Sequence, residues 1–95
     1  MLEIIWLKRA SADLHSIEDY IGKDNPIAAD IIAKKIIGAV ATLKEQPSAG
    51  RPGRVHETRE LVVTSTPCIV VYTAIDDLVL VIAVMHGARE WPKAF

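Results

Sequence analysis

The chain has one cysteine, few aromatic residues and no excess of basic charge, and each shortage excludes a class of protein. Cys68 alone cannot form a disulfide framework or a Cys-rich zinc site, and its apolar sequence context predicts a small core residue. Aromatic residues make up 5% of the chain and the formal net charge is −1. A base-stacking platform and a broad phosphate-binding surface are therefore not expected. We expect no direct sequence-specific contact with nucleic acid.

Long apolar runs and metal-binding patterns are also missing. The longest apolar run, Leu78 to Met85, has the length of a strand and is too short to span a membrane. No signal-peptide pattern is present, so a cytoplasmic protein without membrane contact is expected. The scattered histidines His15, His56 and His86 lack metal-ligand spacing, and no Gly-rich phosphate loop occurs. We therefore expect no metal and no cofactor. The length of the chain predicts a single domain over residues 1–95.

The first half of the sequence predicts a strand followed by two helices. Leu2 to Leu7 is typical of a short strand. A first apolar stripe at helical spacing precedes Gly22, a residue that commonly ends helices. Asn25-Pro26 is a strong start for a second helix, which must end before Pro47. The two stripes consist of Ala10, Leu14, Ile17 and Ile21 in the first helix, and Ile32, Ile36, Ala39 and Leu43 in the second.

The second half predicts strands after a loop. Residues 47–54 (Pro-Ser-Ala-Gly-Arg-Pro-Gly-Arg) are expected to form only a loop, because Pro and Gly interrupt regular structure. Strands are predicted over Val55–Val63, Cys68–Ile75 and Leu78–Met85, and the short Asp76-Asp77 connection favours an antiparallel hairpin. The predicted order is β-α-α-β-β-β. This is an α+β fold with a helical hairpin packed on one face of a mainly antiparallel, twisted sheet.

The last two predicted strands are apolar on both faces. Regular alternation would place Val79, Val81 and Met85 on one face and Leu80 and Ile82 on the other. Because one helical hairpin covers a single face, the second face needs another cover. Either the chain's own first strand and C-terminal tail provide it, or a partner protein does. We favour a partner that binds the second face, with contacts at Val71, Val79, Val81 and Met85.

Polar candidates for a functional site occur in two places. The first is the loop and strand that carry Arg51, Arg54, His56, Glu57, Arg59 and Glu60. Arg51 and Arg54 lie on a loop shaped by Gly and Pro, and loops on rigid scaffolds often carry binding residues. Arg59 and Glu60 are candidates for the same site, or for ion pairs on the strand surface.

The second place is the end of the last strand. His86 has the chemistry of a general base, or it is a structural residue that closes an apolar strand. Arg89 can bind a phosphate or carboxylate through two hydrogen bonds, or pair with Glu60. Trp91 can anchor a partner or cover the core.

Several motifs follow one another along nearly the whole chain. The first helix carries Ala10, Asp13-Leu14, Ile17 and Tyr20-Ile21, and the second carries Asn25-Pro26, Ala28-Ala29 and Leu43. Further on come Pro47, Gly50 to Arg54, Thr58 to Val62, Pro67 and Ile69 to Tyr72, and finally His86, Ala88-Arg89 and Trp91-Pro92. In these motifs the chain resembles the RelE/ParE superfamily of toxins from type II toxin–antitoxin modules, within it the ParE (plasmid-stabilisation) branch.

The resemblance implies a toxin that is neutralised by its cognate antitoxin in a hetero-oligomer. ParE-like members poison DNA gyrase and are not enzymes, which implies a target-binding surface at Arg51, Arg54, Arg59, Glu60, His86, Arg89 and Trp91. RelE-like members cleave mRNA on the ribosome, and here that role would fall to His86, Arg89 and Arg59. The net charge of −1 and the absence of lysine between Lys44 and Lys93 favour the gyrase interpretation. A non-toxic interaction module is the third alternative.

Overall fold

Two helices and five strands make up the fold in a computed structural model, which describes residues 2–87 and 95. The elements are β1 (Glu3–Trp6), α1 (Lys8–Gly22), α2 (Pro26–Ala41) with a 3₁₀ turn (Thr42–Lys44), β2 (Arg51–Pro52), β3 (Arg59–Val62), β4 (Cys68–Ile75) and β5 (Leu78–His86). The predicted α+β class and the β-α-α-β-β-β order are confirmed. One element is added: the two-residue strand β2, inside a segment for which only a loop was predicted.

The helical hairpin forms where the sequence signals predict it. The Asn25 side chain accepts a hydrogen bond from the Ala28 N–H at 3.0 Å, and Pro26 occupies the first turn of α2. The predicted stripe of α1 is buried at Ala10, Leu14 and Ile17. Within the described residues, no helix is long and apolar enough to cross a membrane.

The sheet has the order β1-β5-β4-β3-β2, with β1 parallel to β5 and the other pairs antiparallel. The helices pack on one of its faces, as predicted. The core on that face joins helix and strand residues and includes Ala10, Leu14, Ile17, Ala33, Ile36, Val40, Val70, Val81 and Val84.

A β-bulge in β5 changes which side chains face the helices. Val71 pairs with Ala83 and Tyr72 pairs with Val81, so Ile82 has no partner on β4. The extra residue shifts the alternation by one position, and Val81 and Val84 both contact the helix-covered core. The prediction of regular alternation through β5 is therefore wrong beyond Val81.

Two of the four predicted partner-binding residues do not lie on the second face, the face of the sheet opposite the helices. Val81 packs among the helices and Val79 packs against Leu43, so neither lies on the second face. Val71 and Met85 do lie on the second face with Ala83, but their exposed fractions are 0% and 4%. The chain itself therefore covers Val71 and Met85, where contacts with a partner were expected.

Part of the cover comes from the loop between β2 and β3. The Arg54 N–H bonds to the Glu60 carboxylate on the second face, and the Glu57 carbonyl accepts a hydrogen bond from the Thr73 hydroxyl at 3.0 Å. A groove of about 350 Å³ is left between this loop and the sheet, and its walls include Ile75, Ile82 and Phe95. The predictions offered the N-terminal strand, the tail or a partner as covers, and overlooked this loop.

Candidate functional site

The candidate site is built around residues 47–58, which carry Arg51 and Arg54 and are called the arginine loop here. Glu60 on β3 lies beneath it and is only 3% exposed. Its Oε1 atom accepts hydrogen bonds from Arg51 Nε at 3.3 Å and Nη2 at 3.1 Å. Its Oε2 atom accepts one from the Arg54 backbone N–H at 2.8 Å, and Arg54 Nε lies 3.6 Å away. A buried carboxylate is tolerated because it is paired on both oxygens.

Tyr72 on β4 holds the first half of the arginine loop. Its hydroxyl donates a hydrogen bond to the Pro47 carbonyl at 2.7 Å and accepts one from the Gly50 N–H at 2.9 Å. The ring is fully buried. Gly50 lies so close that a Cβ on it would be 2.7 Å from the ring. The loop therefore follows a path that requires glycine at this point.

Arg59 ties the same segment from the neighbouring strand. Its Nη1 atom donates hydrogen bonds to the carbonyls of Gly50 at 2.7 Å and Ser48 at 3.4 Å. Both Arg59 and Glu60 therefore bind the loop. Glu60 does form ion pairs, with Arg51 and Arg54, but its carboxylate is buried and does not lie on the strand surface. Sequence reasoning missed Tyr72. The signal was a tyrosine inside an apolar strand, whose hydroxyl needs a hydrogen-bond partner when the ring is buried.

The two arginine side chains of the loop are accessible to a partner. Those of Arg51 and Arg54 are 55% and 52% exposed, even though both lie near the Glu60 carboxylate. The side chains of His56 and Glu57 are still more exposed. Glu57 has a φ of 62° and lies in a tight turn that is closed by a hydrogen bond from the Gly53 N–H to the Thr58 carbonyl. Guanidinium groups held in one orientation are suited to bind a carboxylate or phosphate group on a partner.

His86 lies far from the arginine loop. It ends β5 opposite Cys68, and its ring meets the Tyr20 ring edge-on, with 6.0 Å between the ring centroids. Arg59 lies opposite Tyr72, which follows Cys68 by four residues on β4. At the usual rise of a strand, the positions opposite His86 and Arg59 are therefore roughly 13 Å apart along β4. The structure therefore does not bring His86 and Arg59 together. Arg89 and Trp91 lie outside the described residues.

Cys68 is a core residue, as predicted. Its side chain is buried, and burial raises the pKa of the thiol above its ordinary value of 9.0, although a hydrogen bond with Thr66 acts in the opposite direction. The neutral thiol is thus favoured, which is typical of an unreactive cysteine. Among residues 2–87 and 95, no group of three or more His, Cys, Asp or Glu side chains is arranged to hold a metal ion.

The fold matches that of a solved toxin–antitoxin protein. A chain in the structure titled "Chromosomal ParDE TA system from P. aeruginosa" superposes on this one with a TM-score of 0.85. The match covers 92% of this chain and 97% of the other at 23% identity, which shows a shared fold.

Sequence comparison identifies the family. Residues 4–91 match the model of the ParE toxin of the type II toxin–antitoxin system parDE. Y4kP of Sinorhizobium fredii is 43% identical over 90 residues, which cover 95% of this chain and 93% of Y4kP. Toxin RelE2 of Caulobacter vibrioides is 39% identical over 89 residues, which cover 94% of this chain and 99% of that protein. The chain belongs to the ParE toxin family of type II toxin–antitoxin systems, which confirms the resemblance found in the sequence.

Proposed function

We propose that this toxin stops growth by binding and poisoning DNA gyrase, without catalysing a reaction itself, and that it acts in the cytoplasm. The arginine loop is the proposed contact surface, with Arg51 and Arg54 as its principal contacts. Support comes from the half-exposed arginine side chains on a loop fixed by buried residues. Arg89 and Trp91 are proposed as further contacts with the target.

The observation that carries this proposal is the separation of the residues that a nuclease site would require. His86 lies opposite Cys68 at the start of β4, Arg59 lies opposite Tyr72 in the middle of that strand, and the Arg59 guanidinium binds two loop carbonyls. General acid–base chemistry on one phosphate needs both groups within hydrogen-bond reach of it. Presentation of Arg51 and Arg54 to another protein needs no such convergence.

We also propose that a cognate antitoxin neutralises the toxin in a hetero-oligomer. The structural neighbour belongs by its title to a ParDE system, which supports a partner of the same kind here. Because Val71 and Met85 are buried, we place the contact elsewhere, at the groove between β1 and α2. This groove of about 210 Å³ is lined by Ile4, Trp6, Ile37, Val40, Ala41 and Lys44. It adjoins β1, which is an edge strand in the sheet of the described residues, and an edge strand can pair with a partner strand.

A ribosome-dependent endoribonuclease is the second candidate, because one relative with 39% identity is named RelE2. A non-toxic interaction module is the third. One experiment separates the three: the purified chain is added to a gyrase supercoiling reaction and to a translation reaction that contains a defined mRNA. Gyrase inhibition with intact mRNA supports the proposal. Cleavage of mRNA only when ribosomes are present supports the second candidate and refutes the first, and no effect in either reaction or in cells supports the third.

A further inference from the structure

The arginine loop is held from both faces of the sheet by two buried side chains. Tyr72 faces the helix-covered side, where it packs with Leu43 and Val79. Glu60 pairs with Val71 and so points to the second face, where its carboxylate binds Arg51 and the Arg54 N–H. The loop therefore wraps the edge of the sheet and is fixed on each side of it.

The two anchors act on different parts of the loop. The Tyr72 hydroxyl fixes the backbone at Pro47 and Gly50, ahead of the arginines. It contacts neither guanidinium group in these hydrogen bonds, and its ring has no exposed surface with which to contact a partner. Any influence of Tyr72 on binding must therefore pass through the path of the loop.

We propose that Tyr72 is a positioning residue for Arg51 and Arg54, which rests on the proposed function for the role of those arginines. By fixing Pro47 and Gly50, its hydroxyl holds the start of β2 in register with β3, so that both arginines emerge in one arrangement. A loop that is already ordered loses little conformational entropy when it binds, and affinity rises accordingly. Without the hydroxyl, the same arginines are present but must be ordered on binding.

The test is the variant Tyr72→Phe, which removes one oxygen atom and keeps the buried ring. The first readout is hydrogen exchange of the Gly50 amide, followed by NMR on the isolated protein. We expect exchange at least tenfold faster than in the wild type, because the acceptor of this N–H is gone. The second readout is growth arrest, measured as the amount of toxin per cell that halves the growth rate. We expect about ten times more toxin to be required.

Ile36→Val is the matched control. Ile36 is fully buried in the helix-facing core, away from the arginine loop, and the loss of one methylene lowers stability without touching Gly50. It should leave the growth-arrest dose within about twofold of the wild type. Equal Gly50 exchange in Tyr72→Phe and Ile36→Val would overturn the proposal. Faster exchange of the Gly50 amide in Tyr72→Phe, together with a growth-arrest dose equal to that of Ile36→Val, would also overturn the proposal.

If Tyr72→Phe does not fold by circular dichroism, Gly50→Ala takes its place, since its Cβ would lie 2.7 Å from the ring and displace the same segment. Faster exchange of the amide at residue 50 and a higher growth-arrest dose are then expected for Gly50→Ala. Exchange equal to that of Ile36→Val, or faster exchange with an unchanged growth-arrest dose, would overturn the proposal. A wild-type chain that arrests growth without inhibiting gyrase refutes the proposed target, while the growth-arrest comparison still decides the role of Tyr72. A wild-type chain that does not arrest growth overturns both.

Discussion

Asp13 on α1 binds the backbone of Val84 on β5, 71 residues further along the chain. Its Oδ2 atom accepts the Val84 N–H at 3.0 Å, and Arg9 Nε lies 3.5 Å from the same oxygen. The bond lies just past the end of the β1–β5 pairing, where Val81 is the last residue of β5 that β1 covers. A helix side chain thus takes the place of a missing strand partner. The Asp13 carboxylate is the acceptor for the Val84 N–H, which would otherwise be buried without a hydrogen-bond acceptor.

Replacement of Asp13 should therefore cost more than its position on a helix surface suggests. We expect Asp13→Ala to lower the free energy of unfolding by about 1–3 kcal/mol, because the Val84 N–H loses its acceptor. Asp13→Asn should cost less, since an amide oxygen can still accept this bond. Arg9→Ala is the control, and it should cost below about 1 kcal/mol because Arg9 is half-exposed. Urea unfolding measures all three, and equal losses for Asp13→Ala and Arg9→Ala would contradict this role.

The Glu60 carboxylate should contribute strongly to stability. Glu60→Gln keeps the shape of the side chain, but the amide cannot offer two acceptor oxygens to Arg51 and to the Arg54 N–H. We expect a loss of about 2–3 kcal/mol in the free energy of unfolding. Glu57→Gln on the same loop is the control, and it should change stability by less than about 0.5 kcal/mol because its side chain is 83% exposed. Thermal and urea unfolding of both variants check this, and similar values for the two would show that the Glu60 pairing is weak.

Cys68 should make stability fall in alkaline solution. Burial raises the pKa of its thiol in the folded state above the ordinary value of 9.0. Above pH 9 the unfolded chain therefore binds fewer protons at this site than the folded chain. The contribution of Cys68 is complete below that pH and is lost as the pH rises towards the folded pKa, by at most about 1.4 kcal/mol per pH unit.

The measurement for Cys68 is the free energy of unfolding of the wild type and of Cys68→Ala between pH 7 and pH 10.5. Comparison with the alanine variant cancels the titration of the other groups. The difference between the two proteins should be constant up to about pH 9 and then shift against the wild type. Parallel curves over the whole range would show that the thiol has an ordinary pKa in the folded protein.

Antitoxin binding should depend on the groove between β1 and α2. Ile37→Glu places a charge at the wall of this groove, and we expect at least tenfold weaker binding of the proposed cognate antitoxin. The residue is 51% exposed, so the fold should persist. Ile27→Glu is the matched control on the same helix, 75% exposed and outside the groove lining. Calorimetric titration gives both affinities, and equal affinities for the two variants would place the antitoxin on another surface.

The helices and the hairpin of β4 and β5 could be predicted because their signals are local. Asn25-Pro26 starts a helix through its own side chain and ring, and Asp76 adopts the φ of 53° that a tight hairpin turn requires. The bulge at Ile82 could not be predicted, because a strand that is apolar on both faces contains no pattern that fixes its register. That one residue decided which side chains face the helices.

The candidate site could be predicted only in part from the sequence. Arg51 and Arg54 could be chosen because Gly and Pro mark their loop. The roles of Glu60 and Tyr72 could not, because each depends on a contact with residues that only the folded sheet brings near. Tyr72, for example, binds Pro47, which lies 25 residues earlier in the chain. Long-range pairings of this kind leave no periodic signal in the sequence.

Gyrase supercoiling in the presence of two double variants tests the central claim most directly. Arg51→Ala with Arg54→Ala removes the two exposed guanidinium groups of the loop, and Lys34→Ala with Lys35→Ala removes the same charge from α2. We predict that the wild type and the lysine double variant inhibit supercoiling at the same concentration, and that the folded arginine double variant needs at least thirty times more protein. Equal inhibition by both double variants, or no inhibition by the wild type, would contradict the account.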